Sequence, residues 1–380
     1  MLNILCLVTD AYGGTGGVAL FGRDVIEAMC ADSKIDRVVC LPRVIAAPLQ
    51  PMPDKLSFDV SAAGGVFNYL KAVMKQVCGG TKFDLVYCTH INLVPVARIA
   101  AAVAGVPWVL CLHGVESWQP PARRLTRLWA RKASYVHAVS GVTLGRFREW
   151  CPVPAERCAV IPNAVHLEQY QMMPKDQGLL DRHGLDGRKV IMTLGRLDPT
   201  EQAKGFDHVI KALPDLQKSV PNLSYLIVGT GDDKRRLEAL AAAAGVSDSV
   251  VFAGFVSEDD KPKYYCMADA YVMPSKLEGF GFAFIEALAC GLPTIASTID
   301  GGRDAVRQGQ LGWLVDPLDQ AQIKSAILEA LAQPKAIQPG VDYFSYENFV
   351  QRVQHAVHTA ISNTLFSISA RRNTTSNHAD

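Results

Sequence analysis

Short runs of apolar and β-branched residues alternate with helix-period segments along most of the chain, and the rhythm occurs twice. The first series reads LNILCLV before a helical pattern from Val18 to Cys30, then RVVCLP, DLVYCTH before Val94 to Ala104, PWVLCLH before Ala122 to Ala133, SYVHAVS and CAVIPNA. The second restarts at KVIMTLGRL before Gly205 to Leu216 and continues through LSYLIVGTG, Asp233 to Ala244, SVVFAGFV, DAYVMPS, Ala283 to Ala289, PTIAST and GWLVDP. A parallel crossover needs a connection long enough to be a helix, so this alternation predicts two doubly wound α/β sheets in series. The length of 380 residues, more than one core usually organises, agrees. Apolar periodicity lapses around IPNAVHLEQYQMMPKDQ, which places the boundary at 165–175 and gives domains of 1–168 and 169–344. A last helix is expected over about 345–362, with Ser345 as its N-cap and the first domain as its packing surface, before a polar, disordered tail at 367–380.

With 49% hydrophobic and 20% charged residues the chain can bury large cores, which excludes a disordered or collagen-like protein. The net charge of +1 gives no global attraction to nucleic acid, and none is expected as a partner. Residues 1–165 carry 17 Lys+Arg against 11 Asp+Glu, and the remainder carries 21 against 26, so the first half is the basic one. Ten cysteines include no C-x-x-C pair and several lie inside apolar runs, as buried thiols of a reducing, cytoplasmic compartment do. No export signal or spanning segment is expected: the longest apolar stretch, Ile99 to Leu112, is short and broken by Gly105 and Pro107.

In open parallel sheets ligands bind beyond the carboxyl ends of the strands, and two such domains facing one another would make a central cleft. Strand-end motifs are therefore the candidates. The first, DAYGGTGGVALF, sets Gly13, Gly14, Gly16 and Gly17 before a helix, where bare backbone and a helix N-terminus suit a diphosphate. The same residues also fit a strand-to-helix turn that merely tolerates glycine, and Gly14, Gly16 and Ala19 fit a dinucleotide fingerprint. In MPSKLEGFGFAFIEALACGLP, Glu278 closes a strand-end loop, Gly279 and Gly281 bare the backbone around Phe280, and Glu286 falls about one turn into the next helix. Free amides there can hold phosphate while the two carboxylates grip sugar hydroxyls. Taken singly, Glu278 reads as a turn residue and Glu286 as a dipole-favoured surface residue.

EGFGFAFIEALACGLP is the most specific part of a resemblance, from Asn3 to about Arg352, to the retaining glycosyltransferases of family 4 with the two-domain GT-B fold. The resemblance implies that Glu278 contacts the donor sugar and Glu286 the nucleotide ribose, with Gly279, Phe280 and Gly281 between them. It further assigns GGTGGVA, with Gly16 and Gly17, to the donor phosphate, and His113 of LHG to the active-site histidine. Arg196 and Lys204 of GRLDPTEQAKGFD match the family's cations, and Phe255 and Val256 of AGFV lie in the loop that contacts the base. The long interval between Arg196 and Lys204 is similar to a branch found in bacterial surface-polysaccharide assembly. Ala164 and His166 depart from a frequent Gly and Asp at the hinge strand.

The chemistry supports these assignments independently. Charge grows on the leaving phosphate as the glycosyl bond breaks; Arg can fork onto two phosphate oxygens and Lys acts as a point charge. His90 and His113 each end a strand; His90 reads as cleft lining, and Asp10 as an orienter of the glycine loop or a turn residue. No metal constellation is present in the sequence, and the expected co-substrate is a GDP- or UDP-linked sugar without a cofactor. The expected function is transfer of a mannose- or glucose-type hexose to a glycan or lipid-linked saccharide. In PPARRLTRLWARKAS, Arg123, Arg124, Arg127 and Arg131 share one helical arc with Leu125 and Trp129 opposite; this is either a solvated face or a surface for anionic lipid on the inner face of the plasma membrane. An NAD-dependent oxidoreductase, a non-catalytic sugar-binding or scaffold protein, and a phosphorylase or disaccharide synthase of the same fold are the alternatives. The first leaves the segment from Glu278 to Glu286 unexplained and lacks an acid after the second strand, where LPRV stands.

Overall fold

Strands that are apolar at every position need cover on both faces, and most such runs here become enclosed parallel strands. The computed structural model describes residues 1–376, the side chains of Glu201 and of 364–376 excepted. These residues divide into two units, one of residues 1–163 with the chain from 346 onward, the other of 164–345.

The first unit contains β1 (Leu2–Val8), α1 (Gly17–Cys30), β2 (Ile35–Pro42), β3 (Leu56–Phe58), α2 (Val66–Cys78), β4 (Leu85–Cys88), α3 (Val94–Ala104), β5 (Trp108–Leu112), α4 (Val115–Trp118), α5 (Arg124–Ala130), β6 (Tyr135–Ala138), α6 (Gly141–Trp150) and β7 (Cys158–Val160). Its seven parallel strands lie in the order β3-β2-β1-β4-β5-β6-β7. Leu7, Val39, Val86, Leu110 and Val136 face a core shared with Ala97, Ala100 and Phe147 from the helices. Sequence patterning misses β3, α2, α4 and α6: β3 is three half-buried residues at the edge, α2 buries only Tyr69, Ala72 and Val73, α4 is a single turn, and α6 buries only Thr143 and Phe147. The helix expected over 122–133 forms only as Arg124–Ala130, following Pro120 and Pro121. It turns Thr126 and Ala130 inward, so Leu125, expected on the covered side, is 53% exposed and only Trp129 packs against the core.

The second unit contains α7 (Gln177–His183), β8 (Lys189–Leu194), α8 (Phe206–Ser219), β9 (Leu223–Val228), α9 (Lys234–Ala243), β10 (Val250–Gly254), α10 (Lys261–Met267), β11 (Ala270–Val272), α11 (Phe282–Ala289), β12 (Thr294–Ser297), α12 (Gly302–Ala305), β13 (Trp313–Val315) and α13 (Gln320–Ala332). The parallel order is β10-β9-β8-β11-β12-β13. Ile191, Tyr225, Ile227, Val272 and Ile295 meet Phe206, Val209, Leu213 and Ile327 in its core.

The last helix, α14 (Tyr346–Ser376), belongs to the first unit. Phe349 meets Phe21 of α1 edge to face at 5.5 Å, Gln354 donates to the Ala28 carbonyl at 3.0 Å, and His358 lies 2.6 Å from the Asp32 carboxylate. Its helical backbone runs past the expected end near 362 and through residues 367–376, where a disordered tail is expected from the sequence; the rest of that tail, 377–380, lies outside the described residues. No helix among the described residues is long and apolar enough to cross a membrane.

Candidate active site

In each sheet the strand order reverses at one place, between β1 and β4 in the first unit and between β8 and β11 in the second. The carboxyl ends at such reversals leave a crevice, because the two flanking connections depart to opposite sides. Most of the sequence-predicted residues lie at these strand ends.

In the first unit β1 leads through Asp10 and the glycines to α1, whose N-cap is Gly16 at φ 86° and whose first residue is Gly17. No side chain caps this helix start and its first turn carries no acid, so its amides and partial positive charge are presented to an anion. Asp10 lies beneath the loop: a Cβ at Gly14 would stand 2.4 Å from its carboxylate. Burial pushes the Asp10 pKa up, against the charges of His113, Arg43 and Arg23, and its Oδ1 is enclosed without a hydrogen-bond partner.

His113 follows β5, and its Nε2 lies 2.6 Å from the carbonyl oxygen of Thr89 at the end of β4. A carbonyl only accepts, so Nε2 carries the proton and Nδ1 keeps its lone pair. Burial lowers the His113 pKa in spite of Glu116, the Thr89 carbonyl and Asp10, which favours the neutral ring. Glu116 fixes the surrounding backbone, accepting from the His113 and Gly114 amides at 2.8 and 3.1 Å. His90 is turned to a local task, since its Nδ1 accepts from the Asn92 amide.

In the second unit four strand-end loops are joined through their backbones. Leu197 pairs with Thr230 (2.9 Å), Gly301 donates to the Glu278 carbonyl (2.7 Å) and Lys276 to the Ala203 carbonyl (2.7 Å). Gly205, at φ 86°, is required here: a Cβ would stand 2.5 Å from the Pro274 carbonyl oxygen. These joints bring the Lys204 ammonium to 3.0 Å from the Glu278 carboxylate, while Arg196 lies exposed beyond β8.

Glu286 is not the surface residue that its position in a first turn or two suggests; it is 3% exposed. Its Oε2 accepts from the Tyr265 hydroxyl at 2.6 Å, and its Oε1 lies 3.7 Å from the Lys261 ammonium. Burial alone would lower the Lys261 pKa, but the charges of Glu286 and Glu258 raise it. Gly279, Phe280 and Gly281 form the loop before α11, with Phe280 buried against Phe344 at 5.6 Å. Phe255 and Val256 instead border a cavity of about 390 Å³ lined also by Asp176, Arg182, Lys263 and Tyr264, and neither carboxylate lines it.

Sequence reasoning missed Glu116, Lys261, Tyr265 and Asp300. Asp300 is fully buried and accepts from the Ser275 hydroxyl (2.6 Å) and the amides of Glu278 (2.9 Å) and Gly302 (3.0 Å). Its one sequence signal is an acid between the PTIAST strand and a glycine pair.

The sequence pattern described as "Glycosyltransferase Family 4" matches residues 24–169, and that of "Glycosyl transferases group 1" matches residues 180–339. A phosphatidyl-myo-inositol mannosyltransferase of Mycobacterium leprae is 33% identical over 299 residues, 77% of this chain and 74% of that protein. The chain belongs to the family 4 glycosyltransferases. A GDP-mannose-dependent α-(1-6)-phosphatidylinositol monomannoside mannosyltransferase of Mycolicibacterium smegmatis is also 33% identical, over 252 residues, and the match spans 63% of this chain and 64% of that relative's length. The structure of Anabaena HepE in complex with UDP and glucose superposes with a TM-score of 0.72 at 23% identity, covering 94% of this chain and all of that one. WaaG, a glycosyltransferase involved in lipopolysaccharide biosynthesis, gives 0.62 at 17% identity over 93% of this chain and 94% of its own. These neighbours are similar in fold, and the fold is GT-B.

Proposed function

We propose that this chain transfers a mannose- or glucose-type hexose, with retention, from a GDP- or UDP-linked donor to a glycan or lipid-linked saccharide. The observation that carries this reading is the placement of a cation, Lys204, against a carboxylate, Glu278, at the β8/β11 reversal, with Glu286 in the helix that follows. A leaving diphosphate needs the first, and sugar and ribose hydroxyls need the others. Arg196 and Lys204 hold the diphosphate together with the amides of Gly279, Phe280 and Gly281. Glu278 holds the donor sugar, Glu286 the ribose, and Phe255 and Val256 the base. His113, with Nδ1 free to accept, takes a sugar hydroxyl. The mannosyltransferase relatives, which act on phosphatidylinositol acceptors by name, support a lipid-linked acceptor.

Attack from the leaving-group side lets the departing phosphate help take the acceptor's proton, so no general base on the opposite face is required. The positive side chains and helix start replace a divalent cation. With a panel of α-linked GDP- and UDP-hexoses, the expected result is an α-linked product by NMR and turnover that persists in excess EDTA. A β-anomeric product, or loss of activity to chelator with recovery on adding Mg²⁺ or Mn²⁺, would sink the mechanism.

Membrane docking is the second part of this reading. Arg123, Arg124, Arg127 and Arg131 are exposed around α5, as are Leu125 and Leu128. α3 packs against both α5 and α2, and on α2 Val66 is 71% and Phe67 78% exposed. Basic charge beside apolar residues suits an anionic bilayer near the acceptor. Purified protein is expected to sediment with anionic vesicles, not with neutral ones, and to be released by salt. Binding that survives changing all four arginines to glutamine would place the contact elsewhere.

A further inference from the structure

We propose that Asp300 is a positioning residue for Glu278: its carboxylate, together with the Gly301 amide, clamps the backbone of the donor-sugar glutamate from both sides. The inference rests on the transfer reading above. Asp300 takes the Glu278 amide (2.9 Å) and, one residue on, Gly301 donates to the Glu278 carbonyl (2.7 Å), so both backbone polar groups of Glu278 are engaged by one dipeptide. The same carboxylate takes the Ser275 hydroxyl (2.6 Å), at the start of the loop that ends in Glu278, and the Gly302 amide (3.0 Å). The approach leaves no slack. A Cβ on Gly301 would stand 1.9 Å from the Gly279 carbonyl oxygen.

Polar contact of this kind is also open to a hydroxyl or an amide side chain, so the choice of a carboxylate for three partners calls for a reason. A fully buried carboxylate loses its hydration, and no cation is among the groups acting on this one. Burial, eased by the Ser275, Glu278 and Gly302 hydrogen bonds and sharpened by the nearby Glu278 charge, pushes its pKa up to about 7. What the ionised form, present above that pKa, supplies is acceptor capacity without a donor: three partners at once, all donors, on two oxygens. An asparagine presents an NH₂ to one side of the clamp and cannot satisfy it. The result is a Glu278 whose main chain is fixed on both sides and whose side chain is held by Lys204, so the carboxylate meets the sugar without reorganising.

A positioning role separates from a general structural one in what changes. In Asp300→Asn the expected result is a fall of about twentyfold or more in kcat, with affinity for UDP or GDP alone within twofold of wild type. Amide hydrogen exchange at Glu278 should accelerate at least tenfold while β8 and β9 keep their protection. Ser275→Ala, which removes one donor and leaves the Glu278 amide in place, should show a smaller loss in the same direction. Unchanged exchange at Glu278, or accelerated exchange with unchanged kcat, overturns the proposal. So does a parallel loss of nucleotide affinity and turnover, which would mark collapse of the whole site. A wild-type chain inert with every nucleotide sugar would instead overturn the transfer reading, and is seen before any variant is made.

Discussion

Replacing Lys204 by alanine lowers kcat/KM for the nucleotide sugar by about a hundredfold, equivalent to roughly 2.7 kcal/mol of transition-state stabilisation. The ammonium serves two partners in this reading. It meets charge that grows on the diphosphate as the glycosyl bond breaks, a contact stronger in the transition state than in the ground state, so kcat falls as well as kcat/KM. It also holds Glu278 at 3.0 Å, and both side chains are about four-fifths covered, so the pair is worth more than an exposed ion pair. Combining Lys204→Ala with Glu278→Gln should therefore cost less than the sum of the two single losses, with a coupling of about 1 kcal/mol or more. Arg196→Ala, at an exposed position, should cost about tenfold under the same conditions. Turnover within threefold of wild type in Lys204→Ala, at both low and saturating donor, would remove Lys204 from the donor site.

Much of the fold was legible because its signal is local and repeated. A strand such as LNILCLV is apolar at nearly every position because helices cover both faces, and the glycine loop after it announces the strand end. Among the elements that escaped, β3, α2 and α6 lie where burial is partial and the pattern correspondingly thin, whereas α10 and α13 were passed over although they bury several apolar residues each. Leu125 was misplaced for a related reason: on a seven-residue helix the inward face is decided by what the sheet accepts, and Thr126 and Ala130 fit it better.

In the candidate site, the residues on glycine-marked strand ends could be read: Glu278, Arg196, Lys204 and His113 each follow an apolar run. What supports them could not. Asp300 reaches Glu278 across 22 residues, Tyr265 reaches Glu286 across 21, and Thr89 orients His113 across 24. No single-sequence pattern encodes such contacts, since they depend on which strands are neighbours. β12 lies beside β11, and β4 beside β5, only once the sheet order is known. Neither Tyr265 nor Asp300 differs in its local sequence from an ordinary helix tyrosine or loop acid. Glu286 shows the same limit from the other side: taken singly it reads as a dipole-favoured surface residue, and tertiary packing encloses it.

That enclosure gives Glu286 the largest expected effect on stability. Its side chain is 4% exposed and that of Lys261 15%, and the Tyr265 hydroxyl donates to it from a fully buried ring. Glu286→Ala leaves Lys261 without its buried partner and Tyr265 without its acceptor, a loss of about 3 kcal/mol or more. For a unit of this size, the thermal transition of the second unit should then fall by roughly 6 to 12 °C, measured by calorimetry on the whole chain. Glu286→Gln keeps an acceptor for Tyr265 and the packing volume while removing the charge that a ribose hydroxyl and Lys261 both use. Its transition temperature should stay within a few degrees of wild type, and its Kd for UDP or GDP should rise about tenfold, with kcat at saturating donor little changed. The glutamine variant therefore separates the two duties that the alanine variant removes together. A glutamine variant that binds the nucleoside diphosphates as wild type does, or loses kcat without losing affinity, would show that Glu286 holds the fold and not the ribose.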